Sequence, residues 1–213
     1  MARCVLIGGA DIVDYERIQK ALRPREDYYL FCDSGLRHLK KLGVQPNLIV
    51  GDFDSHENPH LAAETITLPR EKDDTDTVYA AREAVRRGFE DFLLLGVVGG
   101  RLDHTLGNLG LMLMLDGQGK RCVALDDYSQ MEIVSRRTAF VPDSFPYFSL
   151  LNISGTAKGV TIRNAKYTLK DAEITCEYQY GVSNEPLPGK AAEISVREGS
   201  LLLIKVVKDS DHS

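Results

Sequence analysis

The sequence predicts an α/β half followed by an all-β half, and three observations carry that expectation. From the N-terminus to about Met131, short apolar runs with little internal alternation are separated by amphipathic helical patterns. That rhythm is the mark of a mostly parallel, doubly wound sheet covered on both faces by helices. After about Glu132 the helical patterns stop, and β-rich pieces follow between Gly, Asn and Pro signals, with alternation in several. The expected division is therefore 1–131 for the α/β domain and 132–213 for an antiparallel β-sandwich. The third observation is size: 213 residues with 43% hydrophobic content supply a real core.

Taken in order, "CVLIGG" reads as a buried strand, and a helix follows over about Tyr15 to Leu22 with Asp14 as its N-cap and Pro24 just past its end. "YYLFC" is the next strand. "SGLRHLKKLG" then reads as a helix with Leu36, Leu39 and Leu42 inward and Gly43 taking a left-handed stop. "NLIV" is a strand, and "TITL" a short one. A helix over about Asp76 to Arg87, closed by Gly88, precedes the strand "FLLLGVV", and a helix over about Leu102 to Leu115 leads into "RCVAL". In the second half the strand candidates are "YFSLLNIS", "GVTI", "EITCEYQYG", "AEISV" and "LLLIKVV", with "REGS" (Arg197 to Ser200) as a hairpin turn.

Composition narrows the function classes. The formal charge is −5 with both signs dispersed, so no basic patch points to nucleic acid. The four cysteines form no CxxC pair, and Cys4, Cys32 and Cys122 sit in or beside apolar runs, as reduced buried thiols do. With no apolar stretch long enough for a bilayer and none at the start long enough for a leader, the expected location is cytoplasmic.

The polar clusters fall where an α/β sheet binds ligands, beyond the carboxyl ends of its strands. Asp33 follows "YYLFC". In "GDFDS", Asp52 and Asp54 follow "NLIV", and an extended backbone there would turn both carboxylates to one side and Phe53 to the other. "KDDTD" (Lys72 to Asp76) lies just before a helix, where Asp74, Thr75 or Asp76 could equally serve as a cap. If the acidic groups converge to within about 5 Å, each pair repels by roughly 3 kcal/mol at an effective dielectric near 20. A hard divalent cation with oxygen ligands relieves that repulsion, and Mg²⁺ does so with one or two carboxylates, waters and substrate phosphates.

A second cluster lies in "GVVGGRLDHTLGNLGLMLML". Gly99 and Gly100 allow close backbone approach, the helix start offers amides to phosphate, and Arg101 adds a charged fork. Leu102, Leu106, Leu109 and Leu113 make one apolar stripe on this helix; His104 and Asn108 share a different, polar face. The spacing is not a Walker A loop.

The ordered set "CDSGLRHLKKLGVQPNLIVGDFDS", "KDDTDTVYAA", "GVVGGRLDHTLGNL" and "GVSNE" closely resembles the thiamine pyrophosphokinase (thiamine diphosphokinase) family, in its bacterial form, over most of the chain. The resemblance implies transfer of a diphosphoryl group from ATP to the hydroxyl of thiamine, with Mg²⁺ required and AMP released, by a homodimer whose active sites combine both subunits. It places catalysis and metal binding on Asp52, Asp54 and Asp76. ATP and phosphate fall to Asp33, Asp73, Thr75, Gly100, Arg101, Asp103, His104 and Asn108, and thiamine to Ser183 and Asn184 in the β domain. Tyr167 in "NAKYTL" stands where the family carries an aromatic, and the family's "DGG" or "DGA" is "DSG" here. The rival expectation is another Mg-dependent diphosphotransferase or nucleotide hydrolase, for example one acting on a hydroxymethylpterin; a non-catalytic nucleotide or thiamine sensor is a third.

Overall fold

The structure, a computed structural model, describes residues 2–53, 63–69, 71 and 74–207. The chain divides into two compact units, Met1–Asp127 and Tyr128–Ser213.

In the first unit six strands are mutually parallel: β1 (Cys4–Ile7), β2 (Tyr28–Cys32), β3 (Leu48–Gly51), β4 (Glu64–Thr67), β5 (Asp91–Leu95) and β6 (Arg121–Leu125). Their order is β6-β5-β1-β2-β3-β4, so the chain winds outward from β1 to β4 and then restarts on β1's other side. This reversal makes the gap between β1 and β5 the topological switch point. All four residues of β1 and three of β3's four are fully buried, as expected of strands covered on both faces. One side of the core joins Val5, Ile7, Phe31, Leu93 and Leu95 to Ile18 and Leu22.

The helices are α1 (Tyr15–Ala21), α2 (Leu39–Leu42), α3 (Asp76–Arg86) and α4 (Leu102–Gly117). Asp14 caps α1 as expected, its carboxylate accepting from the Arg17 amide at 3.1 Å. Gly43 takes the left-handed stop with φ 70°, and Gly88 has φ 91° just after α3. The helix expected over "SGLRHLKKLG" is instead a 3₁₀ segment over Asp33–His38 followed by the single turn of α2. Gly35 explains the tighter winding: it presses against β1 so closely that a Cβ there would stand 2.2 Å from the Ile7 carbonyl oxygen.

The burial of α4 also departs from the expected stripe. Leu102 and Leu106 are 70% and 57% exposed, while Asn108, Leu111, Met112 and Leu115 are buried. The helix carries leucines on more than one face, and the inward one is the face anchored by Asn108, whose Nδ2 donates to the Val97 carbonyl at 2.8 Å.

Glu83 ties α3 to the sheet edge. It accepts from Arg86 and from Arg87 at 2.7 Å, and Arg87 also donates to Glu64 of β4 at 2.8 Å. These arginines, Arg86 first, hold the Glu83 carboxyl down at about 2 against the opposing effect of burial. A depressed folded-state value means stability that is fully present above the ordinary glutamate range and is lost as pH falls toward 2. Glu83→Gln is expected to flatten this part of the acid-unfolding profile, followed by the urea midpoint between pH 5 and about 2; a profile parallel to wild type would remove the contribution.

The second unit is all antiparallel. One set of strands pairs in the order β12 (Gly181–Asn184), β9 (Tyr147–Asn152), β14 (Leu201–Val206), β7 (Ser129–Val134). The other runs β11 (Leu169–Thr175), β10 (Thr156–Arg163), β13 (Ala191–Ser195), β8 (Ala139–Pro142). Val134, Val141, Phe148, Leu150, Val160, Ile162, Ile194, Leu201 and Leu203 share one core, which makes the unit a sandwich. "REGS" is not a hairpin: β13 pairs with β10 and β8, whereas β14 pairs with β7 and β9, so the turn carries the chain from one sheet to the other. Gly199 has φ 84°, and a Cβ there would lie 2.4 Å from the Thr156 carbonyl oxygen.

A charged pair closes one end of this core. Lys205 Nζ lies 2.6 Å from Glu132, with the lysine side chain only 8% exposed. Glu132→Ala would strand a buried cation and is expected to cost on the order of 2 kcal/mol, while Glu132→Leu with Lys205→Met should recover most of it. Urea unfolding of both variants checks this; an unshifted midpoint for the single variant contradicts it.

Candidate active site

Three close backbone approaches build the site at the switch point. A Cβ on Gly8 would lie 2.6 Å from the Gly96 carbonyl oxygen, and one on Gly96 would lie 2.5 Å from that of Gly8. The Ala10 amide donates to the Gly96 carbonyl at 2.8 Å, and Gly35 packs on the Ile7 carbonyl from the other side. Between these turns lies a cleft of about 310 Å³, lined by Gly8 to Asp11, Ser34, Arg37, Thr75 to Thr77, Gly99 to Arg101, His104 and Asn108.

An acidic corner forms at the ends of β2 and β3 and the start of α3. Asp33, Asp52 and Asp76 each present a carboxylate oxygen, all within 4.8 Å of one another. Asp33 is only 4% exposed. Its oxygens accept from the amide of Ser34 and, at 3.2 Å, from that of Phe53. Burial raises the Asp33 carboxyl above its ordinary range; the Ser34 amide opposes this, and the charges of Asp76 and Asp52 add to it. Gly51 permits the crowding, since a Cβ there would lie 2.4 Å from that of Asp33.

One expectation changes here. Phe53 has φ 54°, so the backbone is not extended through "GDFDS" and the same-side argument for Asp52 and Asp54 loses its premise. Asp33 joins Asp52 and Asp76 in one acidic cluster. Asp54 and Asp73 lie outside the described residues. The capping question is resolved by Thr75, whose hydroxyl accepts from the Val78 amide at 3.3 Å, while Asp74 pairs with Arg82. Thr75 is thus the N-cap, and Asp76 stands in the first turn of α3. Among the described residues the donor set is carboxylate throughout, and it suits a hard divalent cation such as Mg²⁺.

The glycine turn faces the same cleft. Gly99 and Gly100 have φ 106° and 65°, conformations that favour glycine. The Gly99 amide donates to Thr105 Oγ1 at 3.1 Å. Arg101 forks onto Asp103 through two bonds of 3.1 and 2.6 Å and holds that carboxyl down at about 2. Both side chains are exposed, and the guanidinium lines the cleft beside the glycine turn. Exposed His104 lines the cleft, whereas Asn108 is buried and holds the Val97 carbonyl.

In the second unit Ser183 is exposed with φ 56°, and its amide donates to Ser149 Oγ at 3.1 Å. Asn184 is buried; its Oδ1 accepts from the Tyr167 amide at 3.0 Å and its Nδ2 donates to the Tyr167 carbonyl at 2.7 Å. That amide clamp fixes the main chain of Tyr167, a residue that is 60% exposed. "DSG" is accommodated without strain, since Ser34 is not among the positive-φ residues. Sequence reasoning missed the wall Gly8–Asp11, although a glycine pair directly after the first buried strand was a usable signal.

Fold and cleft together define the class: an α/β protein whose ligand site sits at the carboxyl edge of a parallel sheet, joined to a β-sandwich. Residues 20–124 match the family model described as the thiamin pyrophosphokinase catalytic domain, and residues 132–201 match that of the thiamin pyrophosphokinase vitamin B1 binding domain. The chain belongs to the thiamine pyrophosphokinase family. It is 26% identical over 185 residues to thiamine pyrophosphokinase of Bacillus subtilis (strain 168), covering 83% of this chain and 86% of that protein. It superposes on thiamin pyrophosphokinase from Geobacillus thermodenitrificans with a TM-score of 0.82 at 26% identity, over 99% of each chain. The family protein from Enterococcus faecalis gives 0.80 at 27%, over 98% of this chain and 100% of that one.

Proposed function

We infer that the chain is a thiamine diphosphokinase, which joins ATP and thiamine to give thiamine diphosphate and AMP. The match of both halves, in order, to the two family models carries this reading, and the carboxylate corner beside a glycine turn supports it. In the reaction the thiamine hydroxyl oxygen bonds to the β-phosphorus, the bond from that phosphorus to the α–β bridging oxygen breaks, and AMP leaves as the hydroxyl proton departs. Catalysis of this kind rests on positioning and charge neutralisation.

Asp33, Asp52 and Asp76, with Asp54, are the residues that would hold Mg²⁺, which when bound neutralises charge on the triphosphate. Gly100, Arg101 and His104 take phosphate oxygens; Asn108 keeps the glycine turn in place, and Thr75 fixes the start of α3. Asp73 and Asp103 stand as polar neighbours of the nucleotide, and Ser183 and Asn184 shape the thiamine loop. A homodimer with shared active sites, working in the cytoplasm, completes the reading; among the described residues no helix is long and apolar enough to cross a membrane.

The test is AMP release with ATP, with and without thiamine. Release that requires thiamine, stops with EDTA and returns with Mg²⁺ is expected. Nucleotide cleavage without thiamine would instead support a hydrolase, and binding without turnover a sensor.

A further inference from the structure

The 3₁₀ segment Asp33–His38 begins in the acidic corner and grips the opposite wall of the cleft. Ser34 Oγ would be 2.5 Å from a Cβ on Gly9, so the serine fills the space that glycine leaves. Arg37 donates to the Gly9 carbonyl at 3.1 Å and to Asp11 at 2.7 Å. His38 ends the segment, only 1% exposed, with its Nε2 3.0 Å from the Ala10 carbonyl and its Nδ1 2.6 Å from the Tyr15 hydroxyl. A carbonyl can only accept, so Nε2 carries the proton and Nδ1 accepts from Tyr15 in the neutral ring. Burial lowers the imidazole's basicity and favours that neutral form.

We propose that His38 is a positioning residue for the nucleotide: by holding the Ala10 carbonyl it fixes the Gly8–Asp11 wall relative to the carboxylates. This rests on the reading of the cleft as the ATP site. The Ala10 amide on the Gly96 carbonyl at 2.8 Å and Arg37 also hold the wall, but Gly8 and Gly9 carry no side chains to pack, Arg37 and Asp11 are exposed, and His38 grips it from a buried position. His38 touches no reacting atom, and its effect reaches the substrate through the Ala10 main chain. Tyr15 supports the ring from behind, so Tyr15→Phe should produce a smaller version of the same effect.

The experiment uses the full chain and two variants, His38→Leu, which keeps apolar volume but removes both ring nitrogens, and His38→Gln, whose amide can still donate to Ala10. Equilibrium binding of Mg²⁺ with a non-hydrolysable ATP analogue is measured first, then KM for ATP and for thiamine, well below the melting temperature. Expected are an analogue affinity and an ATP KM about tenfold worse for His38→Leu, an unchanged thiamine KM, and substantial recovery in His38→Gln. Analogue binding by His38→Leu equal to wild type overturns the inference and leaves the functional reading standing. Equal losses in both variants that extend to thiamine also overturn it, since they mark a general structural effect. A wild-type chain that binds no analogue removes the functional reading, and the inference falls with it.

Discussion

Replacing Asp76 by Asn is expected to lower thiamine-dependent AMP formation by about 10³-fold while leaving the thermal midpoint unchanged or higher. The two halves of this expectation share one cause. Three carboxylates with oxygens inside 4.8 Å repel each other in the free protein, and the Asp33 carboxyl, raised first by burial, is raised further by the charges of Asp76 and Asp52. Asn keeps the size and the first-turn position of residue 76 but removes a charge, so the apoprotein loses repulsion and the cation loses a ligand. The cap on α3 survives because Thr75 supplies it. An Asp76→Asn enzyme within tenfold of wild type would take the acidic corner out of the chemistry.

Gly35→Ala is expected to cost about 3 kcal/mol in urea unfolding and to lower activity further than the stability loss explains. The added methyl would meet the Ile7 carbonyl oxygen at 2.2 Å, the Ile7 carbonyl carbon at 2.9 Å and the Gly8 carbonyl oxygen at 3.1 Å. All three are main-chain atoms of the central strand and its turn, which no rotamer change can move aside. The 3₁₀ segment must therefore lift off β1, taking Asp33 at one end and His38 at the other with it. Gly107→Ala is the control: it lies within α4, nothing stands within 4 Å of its Cβ, and a gain of about 0.5 kcal/mol is expected there. A Gly35→Ala protein as stable as wild type would contradict the packing described here.

The α/β half was legible because fully buried strands have a simple sequence signature: "CVLI", "YYLFC" and "FLLL" are apolar at nearly every position and are flanked by capped helices. Strand ends then located the acids without knowledge of side-chain directions. What the pattern could not convey was decided by tertiary contact. α4 has leucines on more than one face, so periodicity alone did not say which would be buried; a single side-chain bond from Asn108 to Val97 accompanies the choice. "SGLRHLKKLG" has helical spacing, yet the approach of Gly35 to β1 winds its first part as 3₁₀. "REGS" has turn chemistry, which fixes a change of direction but not which strands are joined. The strand Ser129–Val134 was missed as an element because "SQMEIV" has too few apolar residues to stand out, although its pairing with β14 is continuous. The nearness of Asp33 to Asp52 and Asp76 was not measurable from sequence, because separation along the chain gives no distance in space.

Asp33, Asp52 and Asp76 are expected to act as one cation site, which Mn²⁺ titration followed by electron paramagnetic resonance checks with a non-hydrolysable ATP analogue present. Wild type should bind the ion, and Asp52→Asn and Asp76→Asn should each weaken it by about tenfold or more. Ion affinity equal to wild type in both variants would contradict the account.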